Sequence, residues 1–401
     1  MLDVGICVTG SIVFKRISVA LAILLGLGLV GCESREDRAP REDTPAVKAP
    51  PAVDRKVAER FSHTIWQAGE AQLIDARAAV EALNRALTTL LDKPSADHLE
   101  SAKLAWLDAH REFAAVLPYI QLAFAPAELR DQGRELLLAM DSWPVQPGYL
   151  DTVPGYSESG IVNDTAVELT LANLRRQHRL TAHEEASTGF HALEIMLWGP
   201  TSERSADQFQ AASGGEEPEA LAANRRRELT RLMGEALAED LASLERRWPF
   251  TVNDLSRHFL ALQPEARLQQ VRASHLRTVD EELLRRLPES SESDVESGRA
   301  ADSKQAILAM LRTLQAAWVP TQGPGLAQLL LTPRQQEALA ERFDTLEEQL
   351  LKMEDPVELA ELGQLASARE LLEDIAGLMS GRAEIPAGED DVTPVSLTTE
   401  H

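Results

Sequence analysis

The sequence predicts an all-α protein built as two antiparallel helical bundles. Three observations carry this. Ala, Leu, Glu, Arg and Gln dominate from residue 54 to about 382, apolar residues recur three or four positions apart, and no stretch alternates as a strand would. Long amphipathic patterns joined by short connections pack most simply as bundles. The length of 401 residues suits two such units.

Ahead of the helical body, Lys15-Arg16 precede an apolar run from Ile17 to Gly31 that ends Leu29-Val30-Gly31-Cys32. At ~1.5 Å per residue the run spans about 22 Å, short of the ~30 Å hydrocarbon core of a bilayer. A positive end, a short apolar middle and a small residue at the cut describe a secretory signal over 1–31. The last four residues resemble a bacterial lipobox, which makes Cys32 the lipidation site and the mature first residue. Glu33 in place of Asp after Cys32 favours the outer membrane over the inner, with the protein facing the periplasm. Residues 32–53, charged and rich in Pro, read as a flexible tether.

The first bundle is assigned to 54–218. Val57 to Leu91 carries apolar residues at helical spacing, and Ser95 is an N-cap candidate for a helix running through Trp106 and Phe113 toward Pro118. Residues 141–164, rich in Pro, Gly and Asp, read as loop, with helices resuming near 165–178 and 183–198. The second bundle is assigned to 219–382, with helices over roughly 219–247, 264–287 and 302–318. Thr332-Pro333 sets a cap and a first-turn proline for a helix to about Met353. A last helix covers about Val357 to Ser380, and 383–401 is a polar tail. The run from Glu289 to Ser297 reads as a solvated loop.

Composition excludes several functions. Lys and Arg number 40 against 64 Asp and Glu, a net charge of −24 that repels polyanions, and aromatics are only 4% of the chain. Nucleic acid is therefore not an expected partner. One of the two cysteines, Cys7, leaves with the signal and the other is Cys32, so neither a disulfide scaffold nor a cysteine nucleophile is available. No Gly-x-Ser-x-Gly occurs.

The densest chemistry lies in Thr188-Gly189-Phe190-His191-Ala192-Leu193-Glu194, followed by Leu197-Trp198-Gly199. His191 and Glu194, three apart, project from one face of a helix, where an imidazole nitrogen and a carboxylate oxygen can share a metal ion. Gly189 has no Cβ and lets another helix or a ligand approach. The same pair would also serve as an interface hydrogen bond, and two ligands alone do not hold a metal. Carboxylates that could join them are Glu70, Asp108 and Glu112, while Arg111 could clamp an anion in a cleft between the bundles. Asp108 and Glu112 fit a solvated face equally well.

The segment Gly189 to Glu194 with Leu197-Trp198-Gly199 resembles the GxHxxE signature of the imelysin family, classed with peptidase family M75. Trp106-Leu107-Asp108-Ala109-His110-Arg111-Glu112-Phe113 is similar to that family's tryptophan-and-arginine helix. Ser142-Trp143-Pro144 with Asp151, then Gly160-Ile161-Val162-Asn163, are similar to its interhelical segment. The likeness spans about 57–200. Beyond 220 it is one of helical layout, with no copy of the family's second-half polar motif, whose place Glu292 to Asp302 occupies. The resemblance implies an envelope protein of two helical bundles with GxHxxE near their interface, among relatives that include iron-regulated lipoproteins and iron-uptake modules.

The expected function is metal binding linked to iron, through His191 and Glu194 with further donors, holding Fe, Zn or Cu at an N/O site. Expected partners are the membrane, through the lipid, and iron-uptake or other envelope proteins. A metallopeptidase is the alternative that the family class suggests. A zinc peptidase needs three protein ligands, an open water position and a general base, and no HExxH occurs to supply them. The third reading is a non-catalytic adaptor whose cleft binds a peptide or another envelope component.

Overall fold

The helices arise where the apolar spacing places them, and their ends are set by identifiable caps. The computed structural model describes residues 53–214, 217–249, 254–289 and 296–383. The signal, Cys32, nearly all of the tether and of the polar tail, and most of the run from Glu289 to Ser297, lie outside the described residues. Among the described residues the chain is all-α, without a strand. None of its helices is long and apolar enough to cross a membrane.

Helix α1 (Arg55–Asp92) starts at Asp54, whose carboxylate accepts the Lys56 and Val57 N–H groups. It buries a stripe of Phe61, Ile65, Trp66, Leu73, Val80, Leu83 and Leu87. Helix α2 (Ala96–Ala123) begins at the expected cap, Ser95, which accepts the His98 N–H at 3.2 Å. It runs on through Pro118. Then come α3 (Ala127–Met140), the short α4 (Pro147–Leu150) and α5 (Leu171–Gln177), and α6 (Phe190–Trp198), which carries the His/Glu motif.

Three helices are shorter than the sequence pattern suggests, the last of them starting at Leu362 rather than about Val357 because Val357–Leu359 is a separate 3₁₀ turn. The first starts at Leu171 rather than near 165, because Thr170 caps it by accepting the Asn173 N–H. The second starts at Phe190 rather than near 183, because Gly189 holds a left-handed φ of +97° that a helix cannot contain.

The second half supplies α7 (Ala222–Arg247), α8 (Asp254–Ala261) and α9 (Pro264–Arg277). A π-helical turn, Thr278–Leu283, continues α9 into α10 (Leu284–Arg286). After a turn at 296–301 come α11 (Ser303–Trp318), α12 (Leu326–Leu330), α13 (Pro333–Lys352) and α14 (Leu362–Met379). The predicted start of α13 is present as a capping box between Thr332 and Gln335.

The α1–α2 hairpin is the centre of the packing. Helix α7 lies along α1, where Asn84 donates to the Gly234 carbonyl at 2.9 Å, and α6 packs on α2 and α7. Helix α9 covers both α1 and α2, α11 packs along α2, and α13 and α14 pair with each other and reach α11 and α9. Trp66 and Trp248 lock α1 to the end of α7, each indole N–H donating to the other's carbonyl at 3.0 and 3.1 Å.

Candidate metal centre

Four stretches remote in sequence converge on His191. Gly189 makes the first contact: a Cβ there would stand 2.7 Å from the Met140 carbonyl, so only glycine lets α6 begin directly against the end of α3. That approach sets Asp141, the residue closing α3, with Oδ1 3.0 Å from His191 Nε2. Within α6, His191 Nδ1 lies 3.1 Å from Glu194 Oε2. The other Glu194 oxygen accepts the Ala300 N–H at 2.8 Å, tying the 296–301 turn to the motif helix.

That turn delivers Glu296, whose Oε1 is 3.5 Å from His110 Nε2 and 3.6 Å from His191 Nε2. His110 comes from the buried stripe of α2, stacked on Trp106 with ring centroids 4.8 Å apart. Trp106 in turn donates its indole N–H to the Phe190 carbonyl at 2.9 Å. Asp302 closes the far side, 3.4 Å from His110 Nδ1 and held by Arg111, whose Nε donates at 2.7 Å.

Arg286 is the cation at the heart of this cluster. It is 1% exposed and reaches Asp141, Glu282 and Glu296 at once. Counting Asp141, Glu194, Glu282, Glu296 and Asp302 against Arg286 and Arg111, the centre keeps three uncompensated negative charges if both imidazoles are neutral. An interior cannot hold that imbalance without another cation. Protons can supply part of it. Burial pulls the His110 pKa down, but the hydrogen bond to Asp302 and the nearby Glu296 carboxylate outweigh it and raise it to about 9. His191 is likewise raised by Asp141, Glu194 and Glu296 against its burial. Burial pushes the Glu296 carboxyl up, and Arg286 with the two imidazoles pulls it well below the usual carboxylate range.

A metal ion is the other cation the donors fit. One ligand atom each from His110, Asp141, His191 and Glu296 lies within 4.8 Å of all the others. Around a tetrahedral ion with bonds of ~2.0–2.2 Å, ligand atoms stand roughly 3.3–3.6 Å apart. Three separations among the four donors, 3.0, 3.5 and 3.6 Å, are close to that edge. The decisive test is Glu296. Arg286 Nε is 2.8 Å from its Oε1, yet not aligned to donate, and both carboxylate oxygens are buried without a hydrogen bond among the described residues. Arg286 and the protonated imidazoles supply charge beside Glu296, but with none of them aligned as a hydrogen bond its lone pairs remain open to a metal ion.

The candidates named from sequence fall in different places. His191, Glu194 and Gly189 are at the centre, with all donors buried rather than facing an open cleft. Arg111 borders the centre but is engaged by Asp302. Asp108 is exposed, and Glu112 instead accepts from Gln72 at 2.7 Å. Glu70 lies partly buried on α1. Asp151 is also apart, gripped by Arg204 and Arg226 at 2.6 and 2.7 Å.

Sequence reasoning passed over His110, Asp141 and Glu296. For His110 a signal existed: it continues the stripe of Leu99, Ala102, Trp106 and Phe113, whereas Asp108 and Glu112 do not.

Comparison with known proteins agrees with this architecture. The imelysin (peptidase M75) family model matches residues 70–384. An imelysin-like protein from Psychrobacter arcticum 273-4 is similar in structure, with a TM-score of 0.58 at 15% identity, over 83% of this chain and 96% of that one. A putative iron-regulated protein A precursor from Parabacteroides distasonis ATCC 8503 is similar with a TM-score of 0.56 at 14% identity, over 84% and 96%. No curated protein matches the chain. With a family match over most of its length and a fold shared with imelysin-like structures, the chain belongs to the imelysin family.

Proposed function

We propose that this protein is a lipid-anchored envelope protein that binds one transition-metal ion through His110, Asp141, His191 and Glu296, in a role linked to iron. The observation that carries the metal reading is Glu296, an ionised carboxylate between two imidazoles with no hydrogen bond to either oxygen among the described residues. Two nitrogen and two oxygen donors suit Fe, Zn or Cu. Bound there, the ion would supply the missing positive charge and displace the protons on the imidazoles. Glu194 and Arg286 would orient the ligands, Glu194 through His191 Nδ1 and Arg286 through the far oxygen of Asp141.

Family membership and the likeness to a putative iron-regulated protein precursor support the iron link. The signal over 1–31 and the lipobox at Cys32 support the envelope and, with Glu33, the outer membrane. The peptidase alternative needs access for water and a polypeptide, whereas each of the four donors is at most 7% exposed.

The test is metal content and affinity of residues 33–401 beside His191→Ala and Glu296→Ala. The expected result is one ion per chain in the wild type, lost in both variants while helicity is retained. Metal held equally by all three would refute the site, and hydrolysis of a peptide lost with the metal would restore the peptidase reading.

A further inference from the structure

On the opposite side of Glu282 from the metal centre is a second, unassigned feature, a cavity of about 410 Å³ between α2, α3 and the α9–π–α10 helix. Arg130, Arg134, Arg277 and Arg285 line it with Asp131, Glu281 and Glu282. Most of the acids are committed elsewhere. Asp131 pairs with Arg134 at 3.1 Å. Glu282 pairs with Arg286 and accepts from Gln121 at 3.2 Å.

Arg130, Arg277 and Arg285 make no ion pair among the described residues. Each is steadied by a neutral backbone oxygen instead: Ala125 at 3.3 Å, Gln121 at 2.8 Å and Trp143 at 3.0 Å. Arg285 also lies over the Trp143 ring, 4.1 Å from its centroid. Three uncommitted guanidiniums face one uncommitted carboxylate, Glu281, so the pocket is locally cationic in a chain of net charge −24. Its floor is apolar, formed by Ile120, Phe124 and Leu137.

We infer that this pocket binds a small organic acid with two or more carboxylates on a carbon skeleton. Guanidinium forks match carboxylates two bonds at a time, and the apolar floor between them suits a carbon chain better than a bare oxyanion. The π-helical turn supports the placement. It widens the helix by a residue, a distortion frequent at functional sites, in the segment where Glu281 faces the pocket and Glu282 and Arg286 reach the buried cluster. Burial and the neighbouring Arg130 charge lower the Arg277 pKa, and Glu281 offsets them only in part, which leaves room for a further anion.

The inference is independent of the metal and is tested without it. Metal-free mature chain carrying Cys32→Ser is titrated calorimetrically with tricarballylate, which lacks the hydroxyl of the strong chelating acids, and separately with inorganic phosphate. Saturable tricarballylate binding is expected, weakened tenfold or more by Arg277→Gln and by Arg130→Glu. Arg130 is exposed, so its reversal leaves the fold intact, and Arg342→Gln on α13 should change nothing. No saturable binding to the wild type, or equal binding by the Arg130 and Arg277 variants, would overturn the inference. Phosphate binding as tightly as tricarballylate would overturn the organic-acid identity.

Discussion

Asp141 Oδ1 and His191 Nε2 stand 3.0 Å apart although fifty residues separate them, because Gly189 lets the start of α6 touch the end of α3. The glycine is therefore a structural condition of the candidate metal centre. Gly189→Ala must place a Cβ 2.7 Å from the Met140 carbonyl at a φ of +97°. The expected cost is about 2–4 kcal/mol. Denaturant unfolding should show that loss, and metal affinity should fall with it because Asp141 and His191 are driven apart.

Arg286 and a bound metal ion answer the same need for positive charge. Arg286→Met leaves Asp141, Glu282 and Glu296 buried without their common partner. Metal-free protein should lose about 3–5 kcal/mol. Zinc should restore more stability to the variant than it adds to the wild type. Unfolding curves with and without zinc check this, and equal increments in both proteins would contradict it.

Two histidines away from the donors are held neutral, and they fix an acid limit to stability. Burial lowers His275 to about 3, with Nδ1 accepting the Trp318 indole N–H at 3.1 Å. Burial also lowers His178 to about 4, only partly offset by its hydrogen bond to the Leu138 carbonyl at 2.8 Å. Both folded values lie below the unfolded ~6.5, so the unfolded chain takes up protons first as pH falls. Their stabilisation is complete above ~6.5 and is lost as pH drops toward about 4 for His178 and about 3 for His275, at up to ~1.4 kcal/mol per unit per histidine. His275→Gln should flatten the dependence of unfolding free energy on pH across that window.

The proposed lipid anchor rests on one residue. Cys32→Ser should move the protein from the membrane fraction to the soluble fraction and abolish labelling by a palmitate analogue, without altering helicity. Unchanged membrane association would contradict lipidation at Cys32.

How much of this was legible in the sequence follows from how local each feature is. Helix character, the caps at Ser95 and Thr332, and the shared face of His191 and Glu194 depend on neighbours within one or two turns, and the sequence shows them directly. His110 was half legible, since its place in the apolar stripe of α2 marked it as buried but not what it faced. Asp141 reads as the start of a loop, and only the α3–α6 contact gives it a role. Glu296 is more than a hundred residues from His191 and sits in a polar, loop-like run. Nothing within reach of its own sequence distinguishes it from the other acids of that run. Its burial comes from the turn that Glu194 anchors through the Ala300 N–H.

The central claim is that His110, Asp141, His191 and Glu296 enclose one metal ion. Anomalous diffraction at the zinc edge, on crystals of the zinc-loaded protein, tests it most directly. The account predicts one strong peak within bonding distance, ~2.0–2.2 Å, of donor atoms from those four residues. A map with no peak there, or with zinc only at surface carboxylates and histidines, would contradict it and leave Arg286 and the imidazoles as the cluster's own cations.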